Sequence, residues 1–304
     1  MNQTNAKQQA KQYRQAARRG DAGAMYALSN CYHEGNGVPR NKAKAKEWYD
    51  QAFKLWREKA EQGDAEAQYR LAGEYHFGKD GCVPKDKTEA VKWYRQAAEQ
   101  GHIKAQLSLA ACYDYGSGIP EDWSEARQWY CTAAEQGDAE AQYEYGRFIE
   151  STFRDKTQAV DWYRKAAEQG HPRAKESMSE CYFRGQCVPK DETEAMNWLR
   201  KAAEESTDDY YRRRSYMLLG LRYLYYRNDK EAVKCFRKAA NPKGHVGENS
   251  VFEAQFMLGE CYRHGWGVPK NEKKAVEWYR KEEEYYAESG IEHKSTRKIR
   301  IECW

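Results

Sequence analysis

The chain is 304 residues long and sets 51 Lys and Arg against 47 Asp and Glu, a formal charge of +4. So small an excess, with the signs interspersed, argues against a nucleic-acid partner, and no run of 18 apolar residues is present to span a membrane. Only seven prolines and 22 glycines interrupt a chain rich in Ala, Glu, Lys, Arg and Gln, which predicts an all-helical protein.

The N-terminal stretch "MNQTNAKQQAKQYRQAARRG" lacks the apolar core and small-residue cleavage site of a secretory leader. The expected compartment is the cytoplasm; a periplasmic or secreted location would require a leader removed from the sequence. Within it, "KQYRQAARRG" (11–20) mimics "KWYRQAAEQG" (92–101), with Gln12 in place of Trp. Residues 1–19 therefore read as an isolated helix that caps the helices after it.

Gly20, Gly63, Gly101, Gly137 and Gly170 open five repeats, 43, 38, 36 and 33 residues apart. Two further repeats keep the interior without the opening glycine, at 216–240 and 254–281. Seven repeats thus cover 20–284 as one domain, and 285–304 forms a C-terminal capping segment. Such a period signals stacked supersecondary units rather than a catalytic motif.

Each repeat predicts two helices. In "GDAEAQYRLAGEY" (63–75), Ala65, Leu71, Ala72 and Tyr75 fall on one helical stripe, with Asp64 as N-cap. Turns such as "GNGVP" (35–39), "GSGIP" (116–120) and "GWGVP" (265–269) then break the chain. The second helix carries Ala-x-x-Trp-Tyr and closes on paired alanines. Its Trp and Tyr should fill the space between hairpins, so Trp129 and Trp162 are expected to be buried. Repeats four and six replace the glycine turn by "RFIESTFRDK" (147–156) and "YRNDK" (226–230), which predicts tighter turns. "KLWREK" (54–59) should lengthen the second helix of repeat one, and "NPKGHVGENS" (241–250) reads as a loop.

Ala-x-x-x-Leu-Ala/Gly-x-x-Tyr, then Gly-x-Gly-Val-Pro, then Ala-x-x-Trp-Tyr-x-x-Ala-Ala-x-x-Gly resembles the Sel-one-like repeat family of tetratricopeptide-like solenoids. The resemblance covers about nine tenths of the chain. It implies a right-handed superhelix of seven stacked helix pairs with helical caps, and a non-enzymatic adaptor that binds a protein partner in its concave groove. Relatives that act as toxin immunity proteins, and secreted ones credited with cleaving penicillin-like compounds, leave those two functions open as alternatives.

In such hairpins the first helix lines the concave side. Counting from the opening glycine as zero, positions four, eight, nine and twelve should be buried, and three, six, ten and thirteen should face the groove. Position six reads Tyr26, Tyr69, Leu107, Tyr143, Glu176, Met217 and Phe256. With His33, His76, Asp114 and Phe183 at position thirteen, and Arg147, Arg173, Arg214 and Arg263 beside them, this column has the residue types of a binding surface. Packing against the neighbouring helices accounts for it equally well on helical geometry alone.

No catalytic constellation emerges. There is no Cys-x-x-Cys and no His-Glu-x-x-His, and the Gly-x-Gly strings follow helices rather than strands. No metal and no cofactor is expected. Equivalent cysteines in neighbouring repeats lie beyond disulfide reach, so the nine cysteines read as free thiols used as small hydrophobes.

Overall fold

The computed structural model describes residues 3–79, 82–240 and 249–289. Among them the chain is all-α, an α-solenoid of helix pairs with no strand and a single isolated bridge between Lys79 and Val83. It divides into two compact units, Met1–Tyr145 and Gly146–Trp304.

In the first unit, α1 (Gln3–Arg18) precedes three hairpins: α2 (Ala22–Glu34) with α3 (Lys42–Glu61), α4 (Ala65–Phe77) with α5 (Lys87–Glu99), and α6 (Ile103–Asp114) with α7 (Trp123–Glu135). From α1 to α7 each helix packs on the next. Helix α8 (Ala139–Phe148) contains the division between the units. In the second unit a π-helical turn, Ile149–Phe153, leads into α9 (Lys156–Glu168). Three further pairs follow: α10 (Pro172–Arg184) with α11 (Glu192–Glu205), α12 (Asp209–Tyr225) with α13 (Asp229–Ala239), and α14 (Asn249–His264) with α15 (Glu272–Ser289). Again successive helices pack together, and the first helices α10, α12 and α14 also touch in sequence.

Local chemistry starts and stops these helices where the repeat demands. Asp64 Oδ1 accepts a hydrogen bond from Ala67 N at 2.7 Å, satisfying an otherwise orphaned helix N–H. His102 and His171 do the same through Nδ1, each 3.1 Å from the amide three residues on. The turn of repeat three sets both glycines left-handed, Gly116 at φ 61° and Gly118 at φ 80°. Repeats four and six turn more tightly, as their sequences predict. Arg154 and Asp155 alone link the π turn to α9, and three residues link α12 to α13. Left-handed Arg154 and Arg227 make those corners. Helix α3 runs 20 residues against 13 for α5, so the insertion in repeat one lengthens its second helix.

The core follows the predicted stripe, with two corrections. Ala105, Leu109, Ala110 and Tyr113 are all buried. In repeat two, however, the stripe starts at Ala67 and not Ala65, and Tyr75 is only half-buried. The second correction concerns the aromatic pair. Tyr49, Tyr94, Tyr130 and Tyr163 are deeply buried, whereas Trp48, Trp93, Trp129 and Trp162 are half-buried. Adjacent helical residues point about 100° apart, so only one of the pair can aim at the helix opposite.

A polar seam joins successive repeats. Gln68 Nε2 donates to the Ala60 carbonyl at 3.1 Å and Gln106 Nε2 to the Ala98 carbonyl at 3.0 Å, each capping the helix before it. The glutamine that ends the next second helix closes the link: Gln100 Nε2 donates to Gln68 Oε1 at 2.7 Å, and Gln136 Nε2 to Gln106 Oε1 at 2.6 Å. In repeat five Lys175 replaces the first glutamine, only 3% exposed, and its ammonium pairs with Glu205 at the position of the second. An amide pair has become an ion pair in place. Glu205→Gln is therefore expected to destabilise by about 1–3 kcal/mol, because it leaves a buried ammonium without its counter-charge. Adding Lys175→Gln should recover most of the loss. Chemical unfolding of the single and double variants checks this, and additive losses would contradict it.

The predicted loop at 241–250 and the C-terminal cap at 285–304 fall largely on residues 241–248 and 290–304, outside the described residues.

Candidate interaction surface

The first helices place the predicted surface residues in two different settings. In the first unit, position six is anchored inward. The Tyr26 ring packs 6.1 Å from Tyr49 and 5.3 Å from Trp56. Lys79 Nζ lies 4.8 Å from the Tyr26 ring centre and 4.1 Å from that of Tyr49. Tyr69 stacks on His102 at 4.9 Å and tilts against Tyr94 at 6.0 Å. His102 Nε2 in turn lies 2.9 Å from Glu66 Oε2. Tyr26, Tyr69 and Leu107 are half-buried. Tyr143 is only 7% exposed and packs with the core.

Position thirteen also varies. His33 is exposed, and Asp114 is half-buried. His76 is half-buried against Phe77 and Tyr94. Burial, then Lys87 and Lys85, push the His76 pKa down, so its imidazole is neutral at pH 7.

In the second unit the same positions build a cross-linked polar face. Arg214 Nε donates to Glu176 Oε2 at 2.9 Å, and Ser215 Oγ to Glu176 Oε1 at 2.8 Å, tying α12 to α10. Arg222 donates to Glu180, and its guanidinium sits 3.5 Å over the Phe183 ring. Tyr225 packs edge-on against Phe183 at 5.7 Å. Glu176 is thus joined to Arg214, and Phe183 to Arg222, each across two repeats. Phe256 and Arg263 stay within their own repeat, against Tyr279 at 5.9 Å and Glu260 at 3.9 Å. Arg147 and Arg173 are half-buried.

Residue patterning alone does not single out Arg222. It also passes over position fourteen, where Phe77, Tyr115 and Tyr225 recur and are all well exposed. A third aromatic at one repeat position, beside the turn, is the signal that could have found them.

Among the described residues no group of three or more His, Cys, Asp and Glu is placed to hold a metal ion. Burial pushes the Cys112 and Cys235 thiols up to about 11 and the Cys261 thiol to about 12, which holds these three protonated. Among the described cysteines a thiol reagent at pH 8 should therefore modify exposed Cys187 first in the native protein, while Cys112, Cys235 and Cys261 react only on unfolding. Peptide mapping after brief labelling checks this, and early labelling of Cys261 would contradict the packing described.

No described helix is long and apolar enough to cross a membrane. The fold defines a helical-repeat protein. The Sel1 repeat pattern matches seven times, at residues 22–64, 65–102, 103–138, 139–171, 172–206, 213–241 and 252–281, and the chain belongs to the Sel1 repeat family. Proteins of this family generally mediate protein–protein interaction.

Among solved structures, a protective antigen of uropathogenic Escherichia coli displaying an SLR fold is 30% identical. That match has a TM-score of 0.62 and covers 93% of this chain and 68% of the antigen. A Sel1 repeat protein from Oxalobacter formigenes is 27% identical, with a TM-score of 0.62 over 96% of this chain and 80% of its own. An immunity protein from Pseudomonas aeruginosa matches at 21% identity over 74% of this chain and 83% of its own, with a TM-score of 0.43, too distant to bear on function. No curated protein matches the chain.

Proposed function

We propose that the chain is a non-enzymatic scaffold that holds a protein partner on the face of its first helices, centred on α10 and α12. The observation that carries this reading is the fixed geometry of Arg214, Arg222 and Phe183. Each is held by a neighbour in the same face, through Glu176, Glu180 and the cation–π contact. Arginine and aromatic side chains dominate binding hot spots, and holding them in place beforehand lowers the entropy lost on association. A carboxylate-bearing partner segment suits this face, since the Arg214 side chain is half exposed and can share its charge with the partner while the partner's apolar part covers Phe183.

Affinity capture with the purified chain tests the reading. The wild type should retain a partner that the Phe183→Ala/Arg214→Ala variant loses by tenfold or more, as expected when central anchors are removed. A control variant on a second helix, Lys201→Ala, should retain it. Equal capture by the double variant and the wild type, or loss with Lys201→Ala alone, would contradict the proposal.

A further inference from the structure

The first unit exposes three large aromatic side chains at one edge. Phe77 is 76% exposed, Tyr115 64% and Trp123 51%. They stand at the end of α4, just after α6 and at the start of α7, so all three lie where the hairpins turn. These turns are stepped one on the next. Lys46 Nζ of α3 lies 3.7 Å from Cys82 Sγ in the turn of repeat two. The turn of repeat three presses Gly118 so closely on α5 that a Cβ there would stand 2.2 Å from the Lys87 carbonyl oxygen. The edge is therefore one continuous strip from repeat one to repeat three.

Charge along the strip is graded. At repeat one, Arg40, Lys42, Lys44 and Lys46 follow one another with no acidic residue from Gly35 to Lys46. At repeat two the sequence from Lys79 to Glu89 is balanced, Lys79, Lys85 and Lys87 against Asp80, Asp86 and Glu89, and Lys79 is turned inward over Tyr26 and Tyr49. At repeat three, Asp114, Glu121, Asp122 and Glu125 occur in a stretch with no Lys or Arg between Lys104 and Arg127. The strip is positive at one end, neutral in the middle and negative at the other.

A strip with that grading complements itself when a second one is laid against it in the opposite direction. A two-fold axis through repeat two would set the basic end of each copy on the acidic end of the other. It would place Phe77 against Phe77 at the axis and bring Tyr115 and Trp123 opposite the lysines of α3. Twofold interfaces are self-complementary patches of this kind, and lysine over an aromatic face adds to the ion pairs. We propose that the hairpin-turn edge of repeats one to three is a self-association surface whose occupant is a second copy of this chain, docked antiparallel. This surface is separate from the first-helix face of α10 and α12.

The experiment uses the full chain in sedimentation equilibrium, in about 50 mM and 500 mM salt, up to roughly 200 µM, where interfaces of modest size populate dimers. Two charge variants are added. Lys42→Glu/Lys44→Glu makes both ends acidic, and it places acids in the first turn of α3, where they suit the helix dipole. Glu121→Lys/Glu125→Lys makes both ends basic. The wild type should dimerise, and more weakly at high salt. Each variant alone should self-associate at least about tenfold more weakly, because both contacts of its dimer are repulsive. An equimolar mixture should form a heterodimer of near wild-type affinity, since both contacts are then attractive. Circular dichroism confirms that each variant is folded.

A wild type that stays monomeric throughout would overturn the proposal. So would dimers indifferent to both charge variants, or a mixture that remains monomeric. Retention by RNA or by another protein without self-association counts as the same negative result.

Discussion

Tyr163→Ala is expected to lower the unfolding free energy by roughly 3–5 kcal/mol, and Trp162→Ala, its immediate neighbour, by only about 1–2 kcal/mol. Tyr163 is 3% exposed. Its ring lies so close to α8 that a Cβ on Gly146 would stand 2.9 Å from Tyr163 Cε1, and its hydroxyl donates to Glu150 Oε2 at 2.7 Å. Truncation leaves a cavity between helices that cannot close, and strands a half-buried carboxylate. Trp162 is half-buried, with Lys165 Nζ 3.9 Å from its ring centre. Part of its surface is already wet, so less is lost with it. Tyr163→Phe separates the two contributions: it keeps the ring and should cost about 1 kcal/mol for the hydrogen bond. Urea unfolding followed by circular dichroism measures all three, and a costlier Trp162→Ala would invert the face assignment of α9.

Gly118→Ala is expected to cost about 3 kcal/mol or more, whereas Gly101→Ala should cost about 1 kcal/mol. Both glycines are left-handed, at φ 80° and 84°, so both variants carry the same backbone penalty. The difference is space. Around Gly101 nothing lies within 4 Å of an added Cβ, but at Gly118 the Lys87 carbonyl oxygen would be 2.2 Å away. That oxygen is backbone and cannot swing aside, so the turn must lift off α5 and the stacking of repeats two and three loosens. Repeat five carries Cys187 at the corresponding place, left-handed at φ 63°, and there its Sγ lies 3.5 Å from Thr157 Oγ1. The helix it leans on is entered through the π turn, not a glycine turn. Thermal unfolding of the two alanine variants decides the matter; equal shifts would mean that close packing of the turn contributes nothing.

Most of the fold is legible in the sequence because each repeat restates the same local signals. Asp64, His102 and His171 precede helices they cap, and the alanine pairs mark where helices approach. Orientation within a few tens of degrees is not legible in the same way. Trp162 and Tyr163 are adjacent and both apolar enough for a core, and the packing of the helix opposite selects between them. Position six has the same ambiguity: Tyr26 and Tyr69 lie between stripe and solvent and settle half-buried, while Tyr143 is buried outright. The seam glutamines are visible as a recurring pair, Gln68 with Gln100 and Gln106 with Gln136, but polarity alone reads them as surface. Only their pairing explains why Lys175 and Glu205 change together. The polar face on α10 and α12 is legible in its members Glu176, Phe183 and Arg214, whereas Arg222 stands at position eleven, outside the columns counted as facing the groove.

The scaffold assignment is tested most directly by placing a photo-crosslinking residue, one position at a time, at exposed Tyr210 and Tyr225 of α12, beside the anchors Arg214 and Phe183, and at Lys201 and Lys234 on second helices, then irradiating cells that express the chain. A partner seated on the first-helix face gives a discrete adduct from positions 210 and 225 and none from 201 and 234. Adducts confined to the second-helix positions would contradict the account.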